Sequence, residues 1–332
     1  MSKHLTTRRD FVKTLSLLPI VPSILYGNRF SGNQAISRIG YLGGASVLGL
    51  EKVFHDEMAK LGYTEGNNIH IEQRLAKPNT TETATMAAEL AGMDLLLVVA
   101  AALPFALEVR NNNPNMPMVI ATCPGMVSNG FANTLAHPGG IYTGLDELPE
   151  GVTAKRVQLL KAAVPTVTRL GLLSTTPGVG GHEVQLADAE KTAASLGIAV
   201  KPYRAASLPQ LEKALEDMVK DGMNGMLNFQ GGLSIANRQV IVDFAARNRI
   251  PALYQATAFA EAGGLMAWAP DLPQQYRESA RYVDKILKGA KPGDLAAKHP
   301  EKYYLTLNKA AADKLGLRFS KELLAEATKV IG

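Results

Sequence analysis

The 332-residue chain reads as an α/β protein made of two doubly wound, parallel-sheet lobes. Three observations lead there. From Arg38 onward, short β-rich runs alternate with amphipathic helices. The alternation halts at the Pro- and Gly-bearing stretch DELPEG (146–151) and then restarts. Near the end, one helix stands alone between two extended segments, as happens when a chain crosses between two bodies and returns. About 300 residues, two domains' worth on a ~150-residue prior, accommodate this plan.

The elements follow in order. RIGYLGG (38–44) is the first strand. In LGLEKVFHDEMAKLG, residues Leu50, Val53, Phe54, Met58 and Leu61 recur at three- and four-residue steps, which predicts a helix stopped at Gly62. NIHIEQRLA (68–76) is a strand and TTETATMAAELAGM a helix. DLLLVVAA (94–101) is apolar without alternation, the mark of a strand covered on both faces. MPMVIATC (116–123) and IYTGL complete the first set. After DELPEG come helix VTAKRVQLLKAAV, strand RLGLLST (169–175), helix HEVQLADAEKTAASLG and strand IAVKPYRA. Helix LPQLEKALEDMVKDG places Leu208, Leu211, Leu215, Met218 and Val219 on one face. Strand GMLNFQGG, helix ANRQVIVDFAARNR and strand PALYQA (251–256) finish the second set. The isolated helix is QQYRESARYVDKILKG, between GLMAWAPD (264–271) and YYLTLN.

Charge and cysteine usage narrow the function. The formal charge is +5, but residues 1–35 hold five basic side chains against the single acid Asp10, so the remainder is nearly neutral. A nucleic-acid binder needs a basic face, which this balance does not provide. The one cysteine, Cys123, cannot form an internal disulfide. It also lies far from the N-terminus, where a lipid would be attached. The stretch TTRRDFVKTLSLLP sets Arg8 and Arg9 before a polar residue, Phe11 and Lys13, and then a short apolar run. That run is well below the ~20 residues that span a bilayer. The segment resembles a twin-arginine export signal, which implies delivery to the periplasm by the twin-arginine translocase.

In open parallel sheets, ligands sit beyond the carboxyl ends of the strands, so two such sheets define one cleft. The loops there nominate ligand-binding residues. Gly44, Ala45 and Ser46 follow the first strand and lead into a helix N-terminus. Ala102 and Leu103 follow the third strand, and Thr122 and Cys123 end the fourth. The second half offers Ser174, Thr175, Gln230 and Tyr254. Asp146 either orients a ligand polar group or caps the DELPEG turn, and the cap is the simpler role. Asp271 is expected to serve the second crossover in the same way. Trp268, the single tryptophan, is either a stacking platform or hinge packing. These groups are polar, mostly uncharged and partly aromatic, which suits a small ligand held by hydrogen bonds and stacking.

Other chemistries find little support. No histidine is placed as a base beside Cys123, so a nucleophilic role is not expected. PGVGGHE (177–183) has Glu183 where a dinucleotide loop needs its third glycine, and no acid ends the following strand. No Cys or His cluster has metal-ligand spacing. No cofactor is expected.

FAEAGGLMAWAPDL (259–272) resembles a signature of one family of ABC-transporter substrate-binding proteins. RIGYL, LGYTEGNNIHIEQRLA, HPGGIYTG, VQLLKAAVPTVTRLGLL, YVDKILKGAKPGDL and KYYLTLNKAAADKLGL match in order along nearly the whole chain after the leader. The resemblance implies a type I periplasmic-binding-protein fold, with lobes joined by three crossovers and closing by a hinge. The implied boundaries are a leader at 1–35, lobe I at 36–146 plus about 270–292, and lobe II at 147–267 plus about 300–332. It implies a monomeric, non-enzymatic binder of a small molecule, partnered by a membrane permease and its ATPase. A periplasmic sensor feeding a receptor is the alternative, and an exported cofactor-dependent enzyme a further one. Known ligands of the family include aromatic amino acids. Here Gly125 stands where relatives carry an acid, and Phe229-Gln230 where they read Pro-Asp. With fewer carboxylates to meet an ammonium group, the expected ligand is neutral or anionic, with aromatic character an open option.

Overall fold

The computed structural model describes residues 36–44, 49–76, 81–175, 180–229 and 231–332. Its first sheet contains β1 (Ser37–Gly44), β2 (Ile69–Ala76), β3 (Val98–Ala100), β4 (Met118–Cys123) and β5 (Tyr142–Asp146). They run in the order β2-β1-β3-β4-β5, every neighbouring pair parallel. Helices α1 (Leu50–Lys60), α2 (Thr81–Ala91) and α3 (Leu103–Asn112) connect them. The sequence reading did not anticipate α3. LPFALEVRNN is short, has Pro104 in its first turn and lacks a clean apolar stripe, burying only Leu103, Ala106 and Val109. Of DLLLVVAA only Val98–Ala100 is strand, fully buried as its unbroken apolar character predicts.

The second sheet is built from β6 (Arg169–Ser174), β7 (Ala199–Arg204), β8 (Gly225–Asn228), β9 (Ala252–Tyr254), β10 (Met266–Pro270), β11 (Tyr303–Asn308) and β12 (Lys329–Ile331). Its order is β12-β11-β10-β9-β8-β6-β7. All pairs are parallel except β10 with β11. That antiparallel pair arises because β11 re-enters from the other lobe. Around this sheet stand α4 (Val152–Ala163), α5 (Gly180–Ser195), α6 (Leu208–Lys220), α7 (Gly232–Ala236), α8 (Arg238–Arg247) and α9 (Thr257–Glu261).

The lone helix, α10 (Leu272–Leu287), leaves β10 and packs on the first sheet. Its Tyr276, Ala280, Val283 and Leu287 share an apolar cluster with Ile39, Phe54 and Val119. The chain therefore passes between sheets three times, at Asp146–Val152, Pro270–Leu272 and Lys298–Tyr303. The first and third passages are tied together: Asp146 N–H donates to the Lys298 carbonyl at 2.8 Å. Two glycine motifs explain themselves in lobe I. A Cβ on Gly293 would overlap the backbone of Gly140, and Gly139 N–H donates to the Gly293 carbonyl at 3.0 Å. Gly144 sits in β5 with φ +149°, where a Cβ would strike Ile120 beside a register shift between Ile120 and Cys123. Each sheet carries an apolar cluster on either face, so each lobe has its own core.

Candidate functional site

The loop at the carboxyl end of β4 meets the first turn of α5. A Cβ on Gly125 would lie 3.1 Å from the Gly181 Cα, and one on Gly181 would overlap the Pro124 carbonyl oxygen. Backbone of lobe I thus lies directly on backbone of lobe II, at the start of α5. The Asp146 carboxylate holds the lobe I side of this contact. It accepts from the N–H groups of Gly125 at 3.1 Å, Met126 at 2.8 Å and Leu148 at 2.8 Å. This is the capping role expected of it, applied to two loops at once.

The other predicted residues take different places. Gly44 ends β1, half-buried. Ala45, Ser46 and Gln230 lie outside the described residues, as do Arg8, Arg9 and Phe11 of the leader. Ala102 is the N-cap of α3, and Leu103 enters an apolar core. Thr122 Oγ1 donates to the Ala101 carbonyl at 3.0 Å, and Tyr276 OH joins it there at 3.2 Å. Cys123 is fully enclosed in the cluster of Leu42, Ile120 and Met126, not on an open wall. Burial pushes its thiol pKa up, reinforced by Asp146 and Glu147. Ser174 Oγ and His182 Nδ1 are 2.7 Å apart. Tyr254 stacks on Phe259 with ring centres 4.7 Å apart. Trp268 stacks on Tyr303 at 4.6 Å, with the Arg156 guanidinium 5.6 Å from its ring. Asp271 caps α10, accepting from the Gln274 N–H at 3.0 Å.

Between the lobes runs a buried polar chain that the sequence reading largely missed. Gln275 Nε2, at the start of α10, donates to Glu147 Oε1 at 3.0 Å. Glu147 follows β5 directly in the first crossover, and the Tyr303 hydroxyl donates to its carbonyl at 3.1 Å. Deeper in lobe II, Arg156 Nη1 donates to Gln185 Oε1 at 3.3 Å, which also accepts from Gln255 Nε2 at 2.9 Å. Burial pushes the Glu147 carboxyl above its ordinary range, against the lowering effects of the Gln275 hydrogen bond and Arg156. Burial pulls Arg156 down to about 10, opposed by Tyr303 and Glu147. One clue to Arg156 was available. It lies between Thr153 and Val157 and Leu160 at helical spacing, on the face α4 buries.

Several polar atoms here are enclosed without a partner. They are Arg156 Nε, Thr175 Oγ1, Gln275 Oε1, the Tyr254 hydroxyl and both amide atoms of Asn228. Thr175, Asn228 and Tyr254 stand at the carboxyl ends of the adjacent strands β6, β8 and β9. Enclosed polar atoms normally find partners, and each orphan costs about 1–3 kcal/mol. Their concentration at the strand ends is what a site shaped for a polar ligand presents. Behind the crossovers lies a cavity of about 260 Å³, bordered by Gln275, Glu278, Lys298, His299 and Tyr304. Among the described residues no three His, Cys, Asp or Glu side chains gather to hold a metal ion. No described helix is long and apolar enough to cross a membrane.

The model of the family described as ABC transporter substrate binding protein matches residues 39–331. A tyrosine-binding protein of Clostridioides difficile is 20% identical over 246 residues, 74% of this chain and 70% of that protein. A conserved domain protein of Vibrio cholerae superposes with TM-score 0.82 at 22% identity, covering 89% of this chain and 100% of the other. A domain from Streptococcus pneumoniae, crystallised with L-Trp, gives 0.82 at 23% identity, covering 90% and 100%. The architecture is that of type I periplasmic binding proteins.

Proposed function

The chain belongs to the ABC transporter substrate binding protein family, and we propose that it is the periplasmic solute-binding component of an ABC importer. In this reading it captures a small ligand between its lobes by hinge closure and presents it, as a monomer, to a permease and its ATPase. Lobe I is residues 36–146 plus about 270–292, and lobe II is 147–267 plus about 300–332. Residues 1–35 serve as a twin-arginine leader. The single observation that carries the reading is the band of enclosed, unpartnered polar atoms at the strand ends, with Gly125 against Gly181 beside it. A ligand that satisfies atoms from both sides stabilises the closed arrangement by its differential affinity for it. No bond is made or broken.

The ligand walls in this proposal are Gly44, Ala102, Thr175, Asn228, Tyr254, Gln275 and Trp268, with Ala45, Ser46 and Gln230 from the adjoining loops. The tyrosine-binding relative supports a ligand with an aromatic ring. Thermal unfolding against a panel of amino acids, aromatic acids and other metabolites tests the reading. A ligand at ~100 times its dissociation constant adds about 2.7 kcal/mol and raises the midpoint by several degrees. Silence across the panel, with no small molecule released on denaturation, would refute it.

A further inference from the structure

We propose that this site holds its ligand through a carboxylate, with Arg156 as the counter-ion. The inference rests on the binding-protein reading above and adds the ligand's charged group to it. Arg156 is only 2% exposed. Its polar contacts are one 3.3 Å hydrogen bond, to a neutral amide, and the face of Trp268. Its Nε–H has no partner. Among the described residues no carboxylate comes within ion-pair distance of it. Glu147, the acid of the same neighbourhood, spends an oxygen on Gln275 instead.

A guanidinium stays charged at neutral pH, and an enclosed charge without a counter-ion costs several kcal/mol. Other buried cations in folded proteins are paired or bound to an anion. Here Glu147 acts on Arg156 only at a distance, no carboxylate among the described residues pairs with it directly, and the guanidinium keeps donors to spare. The surroundings fit a carboxylate. Gln185, itself held by Gln255, fixes the guanidinium from one side, and Trp268, stacked on Tyr303, floors it with a flat apolar surface. A planar fork of donors matches a carboxylate in two parallel hydrogen bonds. Arg156 belongs to α4 of lobe II, whereas Gln275, whose Oε1 has no partner, belongs to α10 on lobe I. A carboxylate ligand anchored on Arg156 and donating to that oxygen therefore bridges the lobes.

The test uses the full-length chain and matched probes that differ at one group. Acid and amide pairs are 3-phenylpropionate with 3-phenylpropanamide, 4-hydroxyphenylacetate with its amide, and benzoate with benzamide. L-Phenylalanine and phenethylamine form a fourth comparison. Binding is read by thermal shift and by quenching of Trp268, the sole tryptophan, which lies against Arg156. Acids are expected to bind at least ~100-fold tighter than their amides, and phenylalanine than phenethylamine. Arg156→Gln should erase that preference; Arg156→Lys, checked for folding by its unfolding midpoint, should retain part of it. Amides or phenethylamine binding as tightly as the acids would overturn the carboxylate inference while leaving the binding-protein reading intact. A folded Arg156→Gln variant that keeps the wild-type preference would overturn it equally. If every probe is silent, mass spectrometry of what the denatured protein releases decides. A released carboxylic acid, an amino acid included, supports the inference, a released molecule without a carboxylate overturns it, and nothing released refutes both readings.

Discussion

Two residues show how much a side chain's neighbours determine its role. Asp146 and Cys123 face each other across β4 and β5, and both were candidates to touch ligand. The Asp146 carboxylate is occupied by three backbone N–H groups. Hydrogen bonds to a charged group contribute about 1.5–3 kcal/mol each, non-additively. Asp146→Ala should therefore lower stability by about 2–4 kcal/mol in denaturant titrations. Asp146→Asn keeps one acceptor and should fall between. A ligand-contacting but structurally idle Asp146 would instead lose affinity at unchanged stability. Cys123 is fully buried and its thiol is pushed up by burial. A thiol-reactive dye at pH 8 should leave it untouched in the native protein and label it stoichiometrically in denaturant. Rapid native labelling would place its sulfur on an accessible wall.

At the scale of elements, α10 and the first crossover matter most, because they carry Gln275 and Glu147 to the same point. The folded-state pKa of Glu147 is raised, whereas in the unfolded chain it returns to about 4.3. The folded protein thus binds the proton more tightly. Its stabilising effect is complete below the unfolded value and is lost as pH rises through the folded one. Glu147→Gln keeps the oxygen that accepts from Gln275 and removes the charge. The variant should gain stability over the wild type at pH 7 and none at pH 4, in unfolding measured without ligand. An equal gain at both values would contradict the burial argument. Helix α10 leaves one sheet to bury its apolar face in the other lobe, so its packing holds the lobes on a common frame.

For the molecule as a whole, the contact of Pro124 and Gly125 with Gly181 marks where the lobes come together. Gly181→Val places a side chain where the Pro124 carbonyl sits. It should weaken ligand binding by tenfold or more, about 1.4 kcal/mol. Small-angle scattering should then show a ligand-induced contraction in the wild type and none in the variant. Contraction and affinity both unchanged would mean closure does not use this contact. At the N-terminus, replacing Arg8 and Arg9 together by lysine should leave the protein inside the cell in fractionation assays, with binding unaffected. Normal export of that variant would rule out the twin-arginine route.

The residue pattern alone determined the class of this protein. Leu50, Phe54 and Met58 at helical spacing, the unbroken apolar run around Val98, and the restart after DELPEG are local signals, because periodicity follows from backbone geometry. The motifs from RIGYL to KYYLTLNKAAADKLGL carried the family in the same way. Helix α3 escaped because its apolar stripe is too weak to announce itself. Only the tertiary structure decided which polar groups meet. Helical spacing sets Arg156 on the apolar face of α4, but only the folded lobe shows that no carboxylate pairs with it there. Glu147 and Gln275 lie 128 residues apart along the chain, and the chain's return through α10 brings them together. Desolvation and an absent counter-ion are properties of that assembled environment, and no spacing rule in the sequence encodes them.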